Sequence, residues 1–405
     1  MAFSLSRNAK LYVSTSQTIA GILDSNTWEI PILDGFSFTA TTATQEIEIS
    51  EAGTTPVRGQ QVFTTAIEPV EWSIQCYMRP RYDTVDNLVD AVERVLWEAL
   101  AASPTTNTVG TAADGNATTR QAGASGGLDI NFSDSNTNEL LQLSFIFNLG
   151  TSASPVWYHI TGVVVDTAEV DFAIDAIASV SWSGFGTNVT EVRDSTDLGT
   201  LATMQGNAGL LNDSAFPAGT AGYLAAPTGV QACIRNKLST VTLVGKSGTA
   251  YGQSYTLALT GGSLTINNNL TFLTPEALGV VNQPCGHFTG QRVISGNMTA
   301  YLKTGGADDT AELLNDLLTY SQGTGGADPT DFDLTINVGG ATPASPYDTP
   351  VVQFTMPGAH LVIPTINIED VVSVDIPFNA LPYTAGAPDP AATNELTVAY
   401  YADET

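Results

Sequence analysis

The sequence predicts a mostly-β α+β chain built from two tandem copies of an antiparallel β-sandwich or barrel domain, each with one amphipathic helix. Three observations predict it. Residues 70–79 alternate strictly: Val70, Trp72, Ile74, Cys76 and Met78 are apolar, while Glu71, Ser73, Gln75, Tyr77 and Arg79 are polar or amphipathic. A period of two over that length is a strand with one dry and one wet face. The same stretch recurs at 296–303, where Met298 falls on Ile74, Ala300 on Cys76, Tyr301 on Tyr77, Leu302 on Met78 and Lys303 on Arg79. Such an internal repeat sets the organisation of the whole chain. Finally, one helical pattern follows this strand in each half, and a single helix on a largely antiparallel sheet is an α+β arrangement.

Taken in order, Arg7-Asn8 and Lys10-Leu11 are echoed by Arg235-Asn236-Lys237-Leu238, and residues 28–35 by 255–262, each an alternating strand closed by a Gly turn. Residues 44–50 form a further strand, with Ile47 and Ile49 on one face and Glu46 and Glu48 on the other; its partner is 264–273, with Asn267, Asn269 and Thr271 as the polar set. Polar segments with Gly or Pro follow at 51–61 and 274–290, each an extended hairpin or a long loop. The first helix is expected to be capped by Asp83 or Thr84, with Val85, Leu88, Val89, Val92, Leu96 and Leu100 at helical spacing. The second begins at Asp309-Thr310 and carries Leu313, Leu314, Leu317 and Leu318. Residues 101–135, rich in Ala, Thr, Gly, Asn and Ser, read as a surface insertion without a counterpart. Strands then return in step: 140–148 with 332–338, 157–165 with 351–356, and 172–180 with 366–374, where Asp175 meets Glu369 and Ser179 meets Ser373. The boundaries expected are 1–192 for the first domain, 193–225 for a linker and 226–405 for the second.

The 405 residues carry 41 Asp and Glu against 13 Lys and Arg, a net charge of −28. The excess is spread: 8 basic and 23 acidic residues precede position 196, and 5 and 16 follow position 225. A surface of that sign repels nucleic-acid phosphates, although the same charge also serves plain solubility. The start of the chain shows no basic-then-apolar leader and no membrane span. Cys76, Cys233 and Cys285 have no paired spacing, so neither a disulfide framework nor a zinc pattern is present. His159, His287 and His360 are scattered. Gly245-Lys246-Ser247 lacks the upstream glycine of a phosphate loop, since position 240 is Thr, and a strand follows where a helix is needed. Asp129, Asn131, Asp134 and Glu139 have loosely calcium-like spacing without the turn glycine. Sequons at Asn116 and Asn188 carry little meaning without a leader. No pair of carboxylates is singled out for glycoside hydrolysis. The sequence therefore predicts no catalytic residue, no metal and no cofactor.

The order of elements (paired strands, a long loop, a strand ending in Tyr and a basic residue, one helix, then three or more strands) resembles that of bacteriophage tail tube (major tail) proteins, over both halves. The resemblance implies a tube-like domain whose inner sheets join around a lumen, six domains to a ring. Two copies per chain are similar to the variant in which three chains form a pseudo-sixfold ring, and rings stack into a hollow tube. It implies a structural virion protein, made in the host cytoplasm and placed in the phage tail, whose partners are further copies of itself, the tape measure protein, and tail terminator or baseplate proteins. DNA would pass the lumen without specific binding, and no membrane is involved.

Physically, ring closure would pair exposed sheet edges and leave the wet face toward the channel. The candidates for that face are Glu46, Glu48, Glu71, Ser73, Gln75, Asp171 and Asp175 in the first half. In the second they are Asn267, Asn269, Asn297, Thr299, Asn367, Glu369 and Asp375. Contacts between subunits or rings are expected at Arg58, Arg79, Pro275, Glu276, Arg292 and Lys303, with 51–61 and 274–290 as the ring-to-ring element. An ordinary solvated strand face has the same residue pattern, so the expectation rests on the set. The competing reading is a secreted or surface-layer adhesin; the missing leader and the helix retained in each copy speak against it.

Overall fold

The computed structural model describes residues 9–22, 27–47, 61–83, 88–101, 118–120, 128–133, 140–150, 155–206, 234–246, 252–274, 283–306, 309–322, 332–340, 350–368, 371–382 and 394–402. The first half opens with strands β1 (Lys10–Ser14), β2 (Thr27–Ile30), β3 (Ser37–Thr39), β4 (Thr42–Ile47), β5 (Gln61–Ile67), β6 (Val70–Tyr77), β7 (Pro80–Asp83) and β8 (Leu88–Ala91). Helix α1 (Arg94–Ala101) leads to β9 (Thr118–Arg120), β10 (Leu128–Ser133), β11 (Leu143–Asn148), β12 (Trp157–Asp171), β13 (Ser179–Gly186) and β14 (Asn188–Glu191). After helix α2 (Ser195–Gly206) the second half begins with β15 (Thr240–Gly245), β16 (Ser254–Thr256), β17 (Leu259–Asn267), β18 (Thr271–Leu273), β19 (Gly286–Phe288) and β20 (Val293–Tyr301). Helix α3 (Thr310–Ser321), β21 (Phe332–Val338), β22 (Val351–Leu361), β23 (Thr365–Asn367), β24 (Ser373–Ala380) and β25 (Asn394–Tyr401) complete it. The described residues are mostly strand, as expected, but they hold three α-helices where one in each half was expected; α2 is the addition.

Antiparallel pairing in the first half follows the path β2–β1–β11–β12–β13–β6–β3. In the second it follows β16–β15–β21–β22–β24–β20–β17. The two paths visit their strands in the same chain order, and each has a two-stranded hairpin (β4–β5, β18–β19) inserted before the central strand. β12 is the hinge between layers. Its first residues pair with β11 and its last with β13, so one long strand belongs to an outer and an inner sheet. Trp72 of β6 meets Phe145 of β11 edge-on at 4.7 Å, which places the dry faces of the two sheets against each other.

The halves are joined edge to edge twice. β12 pairs with β17 from Thr167↔Asn267 to Asp171↔Ser263, and β10 pairs with β25 from Leu128↔Tyr400. The second junction corrects the reading of 101–135 as surface: Leu128, Ile130 and Phe132 are fully buried, because an apolar alternation at the end of a polar segment still makes a one-sided strand. The first helix is also shorter than expected. Residues 80–83 and 88–91 pair as a hairpin, and α1 starts only at Arg94. Val89 and Ala91 are both buried at period-two spacing, and Arg81↔Asp90 and Tyr82↔Val89 pair across the hairpin; tertiary pairing here overrides helical spacing. α2 occupies part of the segment expected as linker. Asp194 Oδ1 accepts from the N–H of Thr196 at 2.8 Å and Asp197 at 3.3 Å, and Leu201 is buried in a satellite cluster with Tyr12, Trp157 and Val192.

Candidate functional site

Eight strands form one continuous inner sheet in the order β3–β6–β13–β12–β17–β20–β24–β23. Because directly opposed residues share a face, the registers fix what lies on its wet side. One row runs Gln75, Ser181, Glu169, Thr265, Ser295, Asn379; the next runs Tyr77, Ser179, Asp171, Ser263, Asn297, Pro377. The alternate residues, among them Trp72, Ile74, Val180, Trp182, Val170, Leu264, Met298 and Ile376, are buried. Alternation thus drives one face of the sheet into the core and leaves the other for solvent.

This wet face brings together Glu71, Ser73, Gln75, Asp171, Asn297, Thr299 and Asp375, together with Asn267 and Asn367. Sequence reasoning missed Glu169, Thr167 and the serines 179, 181 and 183. Their signal was present in the alternation of Thr167, Glu169 and Asp171 with buried Ala168 and Val170. Glu46 lies elsewhere, on the β4–β5 hairpin, where it opposes Val62. Asp175 is exposed in the turn beyond β12, and Asn269 is in a turn with φ 50°. Glu48 and Glu369 lie outside the described residues.

Across the eight strands the wet face carries four carboxylates (Glu71, Glu169, Asp171, Asp375) and no Lys, Arg, His or Cys. Asp375 is held by two donors: Thr299 Oγ1 at 2.8 Å and Asn367 Nδ2 at 2.5 Å. Gln75 Nε2 donates to Ser179 Oγ at 3.2 Å. Hydroxyls, amides and anionic groups therefore line most of the sheet, with Phe185, Val293 and Pro377 among its apolar members. Such a surface is hydrated and negative, and it offers neither a nucleophile with its base nor a cation for phosphate. Among the described residues no three His, Cys, Asp or Glu side chains group as a metal site. Asp129 and Asn131 are on β10, and Asp134 and Glu139 lie outside the described residues.

The expected contact residues separate. Arg79 and Lys303 follow the ends of β6 and β20, at one rim of the sheet, and the Arg79 guanidinium sits 5.7 Å from the Tyr77 ring centroid. Arg292 is turned inward: its Nε donates to Asn268 Oδ1 at 3.1 Å, it pairs with Glu395 at 3.5 Å, and it covers the Phe132 ring at 5.4 Å. It fastens the second half to the first. Arg58, Pro275 and Glu276 lie outside the described residues. The hairpin β18–β19 also seats on the first half. Phe272 approaches Phe185 at 5.7 Å, and His287 Nε2 accepts from the Leu140 N–H at 3.0 Å.

No protein-family model matches the chain. Among curated proteins it is similar to tail tube protein pb6 of Escherichia phage T5, with 29% identity over 403 residues, covering 96% of this chain and 75% of the relative. No helix among the described residues is long and apolar enough to cross a membrane.

Proposed function

We propose, from the premise that this chain is a homologue of a phage tail tube protein and a component of the virion tail, that three copies close into a pseudo-sixfold ring and that rings stack into a tube conducting DNA. We read the chain as two tube-like domains, 1–192 and 226–405, joined by 193–225. The observation that carries this is the β12–β17 junction. The two halves follow one pairing path and meet edge to edge in a single sheet. Among the described residues, that sheet ends at β3 on one side and β23 on the other, each paired to a single neighbour. Repeating the junction between copies continues the sheet and removes both edges. Head-to-tail contacts of this kind close into rings.

The wet face then lines the lumen. DNA carries about one negative charge per 1.7 Å of its axis, so a wall of carboxylates, hydroxyls and amides without cations holds no phosphate while the duplex slides. The rims differ as well. Arg79, Lys303, Arg235 and Lys237, four of the 13 basic residues, lie where β6, β13 and β20 meet their following or facing segments. The hairpin β4–β5, with Glu46 and then Glu68 at its base, rises from the opposite rim. Stacking sets the cationic rim of one ring against the hairpins of the next, and this charge pairing supports tube growth. Contacts with the tape measure, terminator and baseplate proteins follow from the resemblance alone. The test is electron microscopy of the purified chain. End-on class averages with six lobes, and a ring mass of three chains, support the proposal; monomers at every concentration and salt refute it.

A further inference from the structure

The second half carries a row of apolar side chains that its first-half equivalents keep covered. Val170 of β12 and Phe172 just after it are 0% and 5% exposed, beside β17. Register identifies their counterparts. Asp171 opposes Ser179 and Ser179 opposes Tyr77, while Asn367 opposes Ser373 and Ser373 opposes Tyr301. Since Tyr301 is the repeat of Tyr77, Asn367 stands for Asp171, Ile366 for Val170 and Ile368 for Phe172; the expected match of 172–180 with 366–374 holds at Ser179 and Ser373 but shifts by two residues before them, because the second turn is two residues shorter. Yet Ile366 and Ile368 are 45% and 84% exposed. Among the described residues no strand covers them as β17 covers their equivalents. On the other edge, Ser37 opposes Ser73 as Ser263 opposes Asn297, so β3 is the repeat of β17, which corrects the expected match of 264–267 with the strand at 44–50.

The hairpins show the same asymmetry independently. His287 lies nine residues before Gly296 and Phe63 nine before Trp72, the repeated wall positions. His287 is buried at 5%, seated on the first half, while Phe63 is 47% exposed. Among the described residues neither of the two surfaces has a covering neighbour.

We infer that the seam between chains has a fixed register: Asn367 of one copy opposite Ser37 of the next, Thr365 opposite Thr39, and Ile366 on Phe38. This rests on the ring reading and specifies its joint. Within the chain the corresponding pairs are Asp171↔Ser263, Glu169↔Thr265 and Val170↔Leu264. Phe172 N–H donates to Gly262 O at 2.8 Å, and its repeat is an Ile368 N–H donating to Phe36 O across the seam. The chemistry of the two seams differs in one respect. Glu169 and Asp171 occupy the covalently tethered seam, whereas Thr365 and Asn367 replace them where two chains must meet by diffusion, so no like-charge repulsion opposes closure.

Asp171 and Ser263 form the non-hydrogen-bonded pair beside that bond, the closer of the two antiparallel geometries. Their repeats are therefore within reach of a disulfide. The test introduces Asn367→Cys and Ser37→Cys into the full chain, in a Cys233→Ser, Cys285→Ser background, and oxidises under assembly conditions. Expected is a covalent ladder ending at three chains on a non-reducing gel, with at least tenfold less product from Asn367→Cys with Thr39→Cys, which is two residues out of register. If microscopy shows rings but the shifted pair links better, or neither pair links, the register is overturned and the ring stands. If the cysteine-replaced background forms no ring at all while the wild-type chain does, Cys285→Ser alone repeats the test. If neither forms one, the ring and the register fall together. Ile366→Lys is expected to abolish rings while leaving the monomer's melting curve within a few degrees of wild type. Rings from that variant also overturn the seam.

Discussion

Trp72 faces Gly184 across β6 and β13, and at the repeated place Gly296 faces Phe378 across β20 and β24. Each pair holds one ring and one glycine, with the roles exchanged. A Cβ on Gly184 would lie 2.1 Å from Val164 O and 2.8 Å from the Trp72 indole; on Gly296 it would lie 2.3 Å from Ser263 O and 2.4 Å from the Phe378 ring. Both glycines therefore permit close backbone approach as well as ring packing. Gly184→Ala and Gly296→Ala should each cost about 1–3 kcal/mol in urea unfolding. Trimming the facing ring (Trp72→Leu, Phe378→Leu) should not restore it, because the carbonyls remain; full rescue in a double-mutant cycle would show that only the rings matter. Glu93 offers a second prediction. It is 0% exposed, and its Oε1 accepts from the Tyr400 hydroxyl at 2.6 Å, which in turn accepts from Trp97 Nε1 at 2.6 Å. Burial pushes its carboxyl up to about 7, against the opposing pull of the Tyr400 hydrogen bond and the Arg79 N–H. The folded state thus binds this proton more tightly than the unfolded chain. The stability it contributes is present below the ordinary carboxylate range and is lost as pH rises through about 7. From pH 5 to pH 8 the free energy of unfolding should fall by on the order of 3 kcal/mol from this group. Asp129 and Asp166, raised by burial, act in the same direction. Glu93→Gln should flatten most of that slope, and an unchanged slope would remove Glu93 as its source.

Among the elements, the strands were the most legible in the sequence, because a dry face of Val70, Trp72, Ile74 and Cys76 leaves no other period. Helix α3 was legible from its start. Asp309 Oδ1 accepts from the Glu312 N–H at 3.1 Å and Oδ2 from the Gly306 N–H at 2.7 Å, a cap visible as Asp-Thr before a leucine stripe. α1 was misjudged at its start because Leu88, Val92 and Leu96 satisfy helical spacing while Val89 and Ala91 satisfy the strand, and only the partner strand β7 decides between them. α2 was overlooked because its Gly, Thr and Ser content resembles a linker; what holds it is the Asp194 cap and one buried leucine. Asp194→Ala should therefore lower the melting temperature by fraying α2, and Leu201→Ala should cost about 2–4 kcal/mol, both measured by thermal unfolding. A negligible effect of Leu201→Ala would show that α2 is not held to the body by that cluster.

At the scale of the whole molecule the wall is one object made by both halves, and its charge is uneven. Glu71, Glu169 and Asp171 belong to the first half and Asp375 to the second. In the proposed ring this gives a lumen with three more acidic and three more neutral sectors. Glu169→Lys with Asp171→Lys should leave the chain folded, since both side chains are exposed on the wet face. The variant should make tubes that retain duplex DNA at low salt and release it above about 0.2 M, where screening shortens the range of the attraction. Wild-type tubes should retain none in either condition. DNA bound equally by both would refute a repulsive wall. Tube length, in contrast to ring formation, should shorten as salt is raised, and Lys303→Glu should shorten it further, if opposite rims attract by charge.

By itself the sequence determined the alternation, the repeat, the acidic balance and nine of the residues on the wet face, because each of these is local or a comparison of one stretch with another. It could not determine which edges meet. Pairing of β12 with β17, burial of β10 under β25, the inward turn of Arg292 and the seating of one hairpin but not the other depend on contacts between residues some 100 to 270 positions apart. A strand's own pattern states which face is dry and leaves its neighbour open, since backbone donors and acceptors are alike on every edge. Tertiary structure supplied that choice, and with it the two edges, β3 and β23, that pair with a single neighbour among the described residues.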